Sequence, residues 1–171
     1  MLKSIVITLL LCFLTASTVN SQISNLIKRG ATIDSDDYPN SVYIELLGNG
    51  ILYSINYERR FYGYGHIKVY GRGGLGMIGY SSLWAVWFPI ESSVAFGKKN
   101  NFETGIGCTF AITGNASLDE FQGGPPVIPL RIGYRLEIDE YLFRFGLTPF
   151  FNLSEGFTPM LGVSFGKRFD D

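Results

Sequence analysis

Apolar and polar residues alternate with a period of two along most of this chain. In PPVIPLRIGYRLEIDEYLFRFGLTPFF, residues 125–151, charged side chains fall between apolar ones instead of recurring at the spacing of about 3.6 that a helix requires. The charged residues of the apolar runs are Arg131, Arg135, Glu137 and Arg144. The alternation predicts two β-strands, and the polar residues 139–140 between them predict a short turn that joins them as a hairpin.

The same alternation recurs in six further segments, so eight strands are predicted in all. These segments are residues 42–47, residues 51–60, HIKVYGRGGLGMIGY, WAVWFPIESSVAFG, NFETGIGCTFAIT and PMLGVSFGKRF. The first two are divided at Asn49 and Gly50, because an Asn-Gly pair between apolar runs favours a type I′ hairpin turn with positive φ at both central residues. A single long strand with a glycine kink is the alternative for this pair.

The connections between the predicted strands are of two kinds. Residues 61–65, 98–101 and 139–140 are short and polar, whereas residues 114–126 and 154–158 are longer or looser. If alternate connections lie at alternate ends of an up-and-down sheet, four prolines fall at the end with the long loops: Pro89, Pro129, Pro149 and Pro159. Proline cannot donate to a strand ladder and occurs at strand ends or bulges, so this clustering supports the up-and-down order.

One face of the predicted strands is charged and the other is apolar. The charged face carries Glu45, Glu58, Arg60, Lys68, Arg72, Glu91, Glu103, Arg131, Arg135, Glu137, Arg144 and Arg168, interleaved with glycines. In a soluble barrel or sandwich the apolar face is the core, whereas in a membrane barrel it meets lipid and the charged face lines the lumen. Eight strands enclose too little space for so many Phe, Tyr and Ile side chains. The pattern therefore favours an up-and-down antiparallel transmembrane β-barrel, with aromatic residues near both ends as interfacial girdles.

The first residues, MLKSIVITLLLCFLTASTVNSQ, have the layout of a secretory signal peptide. A lysine precedes a short apolar run, and small residues precede a predicted cleavage after Ser21. We predict a signal peptide at 1–21, a flexible arm at 22–40 and the barrel at 41–171. Cys108 is then the only cysteine of the exported chain, which excludes an internal disulfide.

Catalytic and cofactor motifs are weak in this sequence. His66 is the only histidine, no G-x-S-x-G nucleophile motif is present, and GRGGLG at 71–76 lacks the strand–turn–helix context of a phosphate site. One histidine and one exported cysteine make a structural zinc site implausible. The net charge of −1 gives no indication of nucleic-acid binding. We predict no enzyme activity, no cofactor and no metal.

Several segments resemble those of the small, mostly uncharacterised outer-membrane β-barrel proteins of Bacteroidota-type bacteria. The segments are VYIELLGNGILYSINYERRF, FGKKNNFETGIG, PLRIGYR, FRFGLTPFF and GVSFGKRF. The resemblance implies a place in the outer membrane, contact with its lipid, and insertion by the barrel assembly machinery, which reads a terminal strand that ends in Phe. The positions that match this assembly signal are Leu161, Val163, Phe165 and Phe169. Asp170 and Asp171 follow the Phe and depart from the pattern.

The charged face predicts a lumen filled by ion pairs, because unpaired buried charge is very costly. The predicted network comprises Glu58, Arg60, Lys68, Arg72, Glu91, Glu103, Arg131, Arg135, Glu137 and Arg144. Glu58 is expected to pair with Lys68 across the turn near Tyr62. Arg135 and Arg144 are expected to face each other and to need an acid from a neighbouring strand, either Glu103 or Glu137.

Three functions are compatible with these patterns. The first is a structural or surface-interaction protein of the outer membrane, whose unidentified extracellular ligand binds the loops at the proline-rich end, chiefly 114–126. The second is a narrow pore for small solutes, and the third is a soluble periplasmic ligand-binding barrel with a cavity lined by the aromatic face. A membrane-embedded enzyme acting on lipids would need a polar catalytic cluster at one rim, and the sequence shows none.

Overall fold

A computed structural model of the protein describes residues 39–118, 120–152 and 156–170. The predicted signal peptide and all but the end of the predicted arm lie outside these residues. The strands that the described residues form are β1 (Asn40–Leu47), β2 (Tyr53–Tyr64), β3 (Ile67–Tyr80), β4 (Leu83–Gly97), β5 (Asn100–Asn115), β6 (Glu120–Gly123), β7 (Ile128–Ile138), β8 (Tyr141–Leu147), β9 (Phe150–Asn152), β10 (Gly156–Thr158) and β11 (Leu161–Phe169). None of the described residues belongs to a helix long and apolar enough to cross a bilayer.

Eight of these strands close into an antiparallel barrel in the order β1-β2-β3-β4-β5-β7-β8-β11. The barrel closes because β11 pairs with β1 as well as with β8, with Phe165 opposite Ile44. The short strands β6, β9 and β10 belong to the two longest connections and pair only near one end. The predicted fold, an up-and-down barrel of about eight strands, is confirmed.

The two ends of the barrel differ. The short-turn end holds the β2–β3, β4–β5 and β7–β8 turns together with the start of β1 and the end of β11. The long-loop end holds the other connections, and the wall is tallest there because β3, β4 and β5 are 14, 15 and 16 residues long. β8, in contrast, ends at Leu147, before Pro149. Pro89 lies inside β4, and the β3–β4 ladder is interrupted beside it, between the Gly73–Ile90 and Gly76–Trp87 pairs.

The β1–β2 connection is a hairpin, but its predicted turn type is wrong. Positive φ occurs at Leu47 (58°), Gly48 (66°) and Ile51 (63°), not at the Asn-Gly pair. Gly48–Gly50 forms a single 3₁₀ turn instead, and β2 begins only at Tyr53. The turn bends into the barrel rather than continuing the twist of the two strands, so the geometry of a type I′ turn does not apply.

The alternation of the strands places charge inside and apolar side chains outside. Large apolar residues on the outer face of every barrel strand are about half exposed, among them Ile44 (53%), Ile90 (52%), Phe145 (58%) and Phe165 (51%). A soluble fold would hide such residues, since an extended exposed apolar surface marks an interaction with another molecule or with a membrane. The soluble alternative needs the aromatic face inside and does not fit this arrangement.

Candidate functional site

The interior of the barrel is the most chemically distinctive part of the described chain. Of the described residues, twelve charged ones lie within it, each with at most 8% of its surface exposed: Glu45, Glu58, Arg60, Lys68, Arg72, Glu91, Glu103, Arg131, Arg135, Glu137, Arg144 and Arg168. They include all ten residues of the predicted network. Their common position follows from strand geometry, because residues i, i+2 and i+4 of a strand share one face.

Arg144, on β8, occupies the middle of the network. It lies opposite Arg135 of β7 in the strand register, as the short 139–140 turn requires. Glu103 of β5 accepts two hydrogen bonds from the Arg144 guanidinium, at 2.8 and 2.5 Å, and lies 4.0 Å from Arg135. The Tyr43 hydroxyl accepts a further bond from Arg144 at 2.5 Å. The two facing arginines are therefore held by an acid from a third strand.

Glu137 is the hub of the network at the short-turn end. It accepts hydrogen bonds from Lys68 at 2.7 Å, Arg135 at 2.7 Å and the Tyr70 hydroxyl at 2.9 Å. The Arg135 guanidinium also lies over the Tyr70 ring, 3.8 Å from its centre. The Lys68 ammonium, the Arg135 guanidinium and the Tyr70 hydroxyl thus all donate to one carboxylate, so these buried charges are neutralised by protein groups rather than by water.

The predicted Glu58–Lys68 pair is wrong. The β2–β3 turn lies between Tyr64 and Ile67, so Lys68 lies opposite Gly63. Beyond a bulge between Arg60 and Tyr62, Glu58 lies opposite Arg72. Glu58 instead accepts a hydrogen bond from Arg135 at 2.6 Å. Counting outward from Tyr62 fails because the turn is centred further along the chain, at residues 65–66. The extra residue of the bulge changes the register beyond it by only one residue.

Glu45 and Glu91 anchor the network toward the long-loop end. Arg72 bridges them, at 3.0 Å from Glu45 and 2.8 Å from Glu91. Arg131 makes a second bridge, to Glu45 and to Glu91, the latter at 3.0 Å. Glu91 also lies 3.4 Å from Arg144, which links this layer to the middle of the barrel.

The Gly48–Gly50 turn, named here the plug turn, closes the network at the long-loop end. All three of its residues are buried, and it lies close to β1–β5, β7 and β11. The Asn49 side-chain amide donates a hydrogen bond to Glu91, and the Asn49 carbonyl accepts one from the Thr109 hydroxyl at 2.8 Å. A glycine on either side of Asn49 leaves the turn thin enough to enter the lumen.

Sequence reasoning missed several polar partners inside the barrel. Tyr43 and Tyr70 were not assigned to the network, although each has the same strand parity as a charged neighbour, and that parity could have identified them. Asn49 and Thr109 were also missed. Their contact joins residues 60 positions apart, and no local pattern encodes it.

Elsewhere, the residues considered for catalysis do not form a site. His66 is exposed in the β2–β3 turn, and its carbonyl accepts a hydrogen bond from the Gly97 amide at 2.7 Å. The GRGGLG glycines lie within β3. Gly76 is covered by the Trp87 indole, which leaves no room for a β-carbon. The described residues contain no cluster of His, Cys, Asp and Glu that could hold a metal ion.

An open cleft of about 820 Å³ lies on the long-loop side, where β3, β4, β5 and β6 extend past the other strands. Its walls include Ile78, Tyr80, Leu83, Trp84 and Phe121. Tyr80 and Phe121 are 83% and 74% exposed, so aromatic surface is available to a partner. The predicted binding loop contributes through Gly114, Asn115 and residues 120–122.

The predicted assembly-signal residues all lie on the outer face of β11. Their exposed fractions are 61% for Leu161, 55% for Val163, 51% for Phe165 and 37% for Phe169. β11 is the strand that closes the barrel, since it pairs with β1, the first of the described strands.

Comparison with known proteins gives similarity of fold. No family model matches the chain, and no curated protein matches it. Among solved structures, the N-terminal β-barrel domain of Pseudomonas aeruginosa OprF matches with a TM-score of 0.51 and 14% identity, over 77% of this chain and 99% of that one. Ail, the attachment invasion locus protein of Yersinia pestis, matches with a TM-score of 0.48 and 12% identity, over 78% and 99% of the two chains. The structure of Ail in complex with the heparin analogue sucrose octasulfate matches with a TM-score of 0.49 and 10% identity, over 76% of this chain and 97% of that one. The chain is thus similar in fold to small antiparallel β-barrels.

Proposed function

We propose that this protein is an integral outer-membrane β-barrel whose charged lumen stabilises the fold and whose long-loop end carries a surface interaction. One observation carries the proposal: the barrel is apolar outside and charged inside, the reverse of a water-soluble barrel. Lipid can cover the apolar outer face, and a closed barrel leaves no strand edge unpaired in the membrane.

Orientation follows from the predicted signal peptide and from the shape of the barrel. An exported chain that enters the barrel through β1, which starts at the short-turn end, places that end in the periplasm. Outer-membrane barrels also have short periplasmic turns and longer extracellular loops. The long-loop end, with its aromatic cleft, is then the surface that meets extracellular partners.

The narrow-pore alternative is disfavoured by the packing of the lumen. The interior charges of both signs are paired with one another, whereas selective pores present rings of one sign. The plug turn also covers one end. We expect purified protein in a planar bilayer to show no steady open-channel conductance, and a reproducible ion-selective current would support the pore instead.

Fractionation of expressing cells tests the membrane location. The protein is expected in the outer-membrane fraction, and its electrophoretic mobility is expected to change on boiling, because a closed barrel has no free edge at which unfolding can begin. A soluble band whose mobility does not depend on heating would contradict the proposal.

The assembly signal gives a separate prediction. Replacing Phe169 by alanine is expected to reduce the amount of folded barrel in the outer membrane several-fold, while the purified variant still refolds in detergent. Phe157→Ala is the matched control, since Phe157 is also an exposed aromatic but lies in β10 and not in β11. Equal loss of folded protein in both variants would argue against recognition of β11.

A further inference from the structure

We infer that the plug turn is a latch, which exchanges between the inward position and an outward one that opens the upper lumen. The inference concerns the barrel itself and does not rest on the proposed membrane location. Three features of the turn carry it: strained backbone at its two ends, few bonds holding it, and a charged layer beneath it that is satisfied without it.

The backbone on both sides of the plug turn is strained. Leu47 has φ 58° and ψ −147°, a region that is occupied almost only by glycine. Ile51 has φ 63° and ψ −77°, close to the rare and strained γ-turn conformation. Bulky and β-branched side chains make both conformations unfavourable, so the inward position is held against a restoring force.

The bonds that hold the turn inward are few. Side-chain contacts to the wall comprise the hydrogen bond from Asn49 to Glu91 and the one from Thr109 to the Asn49 carbonyl. The remaining amide oxygen of Asn49 is buried without a hydrogen-bond partner among the described residues. Because an unsatisfied buried acceptor is unfavourable, outward movement into water would satisfy it.

The charged layer beneath the turn does not depend on Asn49. When Asn49 leaves, Glu91 still has Arg72 at 2.8 Å, Arg131 at 3.0 Å and Arg144 at 3.4 Å. Release therefore leaves no uncompensated charge, which is the usual large cost of breaking a buried polar contact. Loss of two hydrogen bonds is opposed by relief of strain, and this balance allows two populated positions.

Thiol labelling in detergent tests the latch. Ser54 is 0% exposed and lies directly beside Gly50: a β-carbon added to Gly50 would collide with the Ser54 hydroxyl. The reporter is Ser54→Cys in the full chain with Cys12 and Cys108 replaced by serine, treated with a small methanethiosulfonate. The depth control is Ser93→Cys, because Ser93 is 3% exposed and bound to Glu103 in the middle of the network.

Two variants should shift the labelling rate of Ser54→Cys in opposite directions. Asn49→Ala removes the bond to Glu91 and is expected to raise the rate about tenfold. Leu47→Gly relieves strain in the inward position and is expected to lower it about fivefold, whereas Leu47→Ala keeps a β-carbon and should have a smaller effect. Ser93→Cys should stay unlabelled throughout.

Two results would overturn the inference. Equal labelling of Ser54→Cys in all variants would mean that the turn does not move, or does not cover this site. A parallel rise in the labelling rate of Ser93→Cys would mean that Asn49→Ala opens the whole barrel rather than the latch. Electrophoretic mobility with and without boiling identifies any variant that fails to fold. If Asn49→Ala fails to fold, Leu47→Gly still tests the inference.

Discussion

Replacing Arg144 by leucine is expected to lower the free energy of unfolding by about 3–5 kcal/mol, because it removes one partner from a buried charge network. Glu103 would lose both of its short hydrogen bonds to this guanidinium, at 2.8 and 2.5 Å. Tyr43 and Glu91 would lose contacts as well. Denaturant unfolding in detergent, followed by the mobility shift, measures the change.

Two matched variants separate the contribution of burial from that of charge alone. Arg144→Lys keeps the charge but loses the planar fork that bonds to both oxygens of Glu103, so an intermediate loss is expected. Lys167→Ala breaks the Lys167–Glu140 pair, whose side chains are 63% and 46% exposed, and should change stability by at most about 1 kcal/mol. If Arg144→Leu folded with normal stability and also conducted ions, the ion pairs would not be what fills and stabilises the lumen.

Sequence alone predicts the strands and their faces because alternation is a property of each strand by itself. The charged residues of β7 and β8 have to lie on one face, and the short 139–140 turn then fixes their register. Two facing arginines without an acid between them would be unstable. An acid from a neighbouring strand could therefore be expected before Glu103 was seen beside Arg144.

Pairing across the β2–β3 hairpin could not be predicted in the same way. The turn lies at residues 65–66 rather than near Tyr62, and a bulge between Arg60 and Tyr62 changes the register by one residue, so Glu58 and Lys68 are not opposite each other. The local trace of the bulge is the run of neighbouring aromatics at Phe61 and Tyr62, where strict alternation stops. Such a run is compatible with a turn as well as with a bulge, and only the observed pairing of β2 with β3 distinguishes the two.

The plug turn was not predicted because its stability depends on contacts remote in sequence. Its Asn-Gly pair matches a common outward hairpin turn. The partner of Asn49 is Glu91, 42 residues away, and the inward bend depends on space in the lumen above that residue. A local signal favoured one geometry and tertiary packing selected another.

Replacing Phe165 by arginine is expected to destabilise the barrel in a bilayer by about 2–4 kcal/mol relative to alanine at the same position. Phe165 lies at the middle of β11 on the outer face, 51% exposed, with its ring 4.7 Å from that of Phe143. The alanine variant removes the ring contacts equally, so the difference between the two variants reports the environment of the outer face alone. Folding equilibria in lipid vesicles measure it.

The same pair of substitutions at Tyr80 provides the positional control. Tyr80 lies at the tip of the β3–β4 hairpin and is 83% exposed, beyond the apolar belt of a membrane-embedded barrel. Arginine should cost about 0–1 kcal/mol relative to alanine there, since charge is tolerated near the interface. If the cost were equally small at Phe165, the outer face would be in contact with water or another protein. Because both positions are exposed in the isolated chain, only lipid around the middle of the barrel predicts a large difference between them.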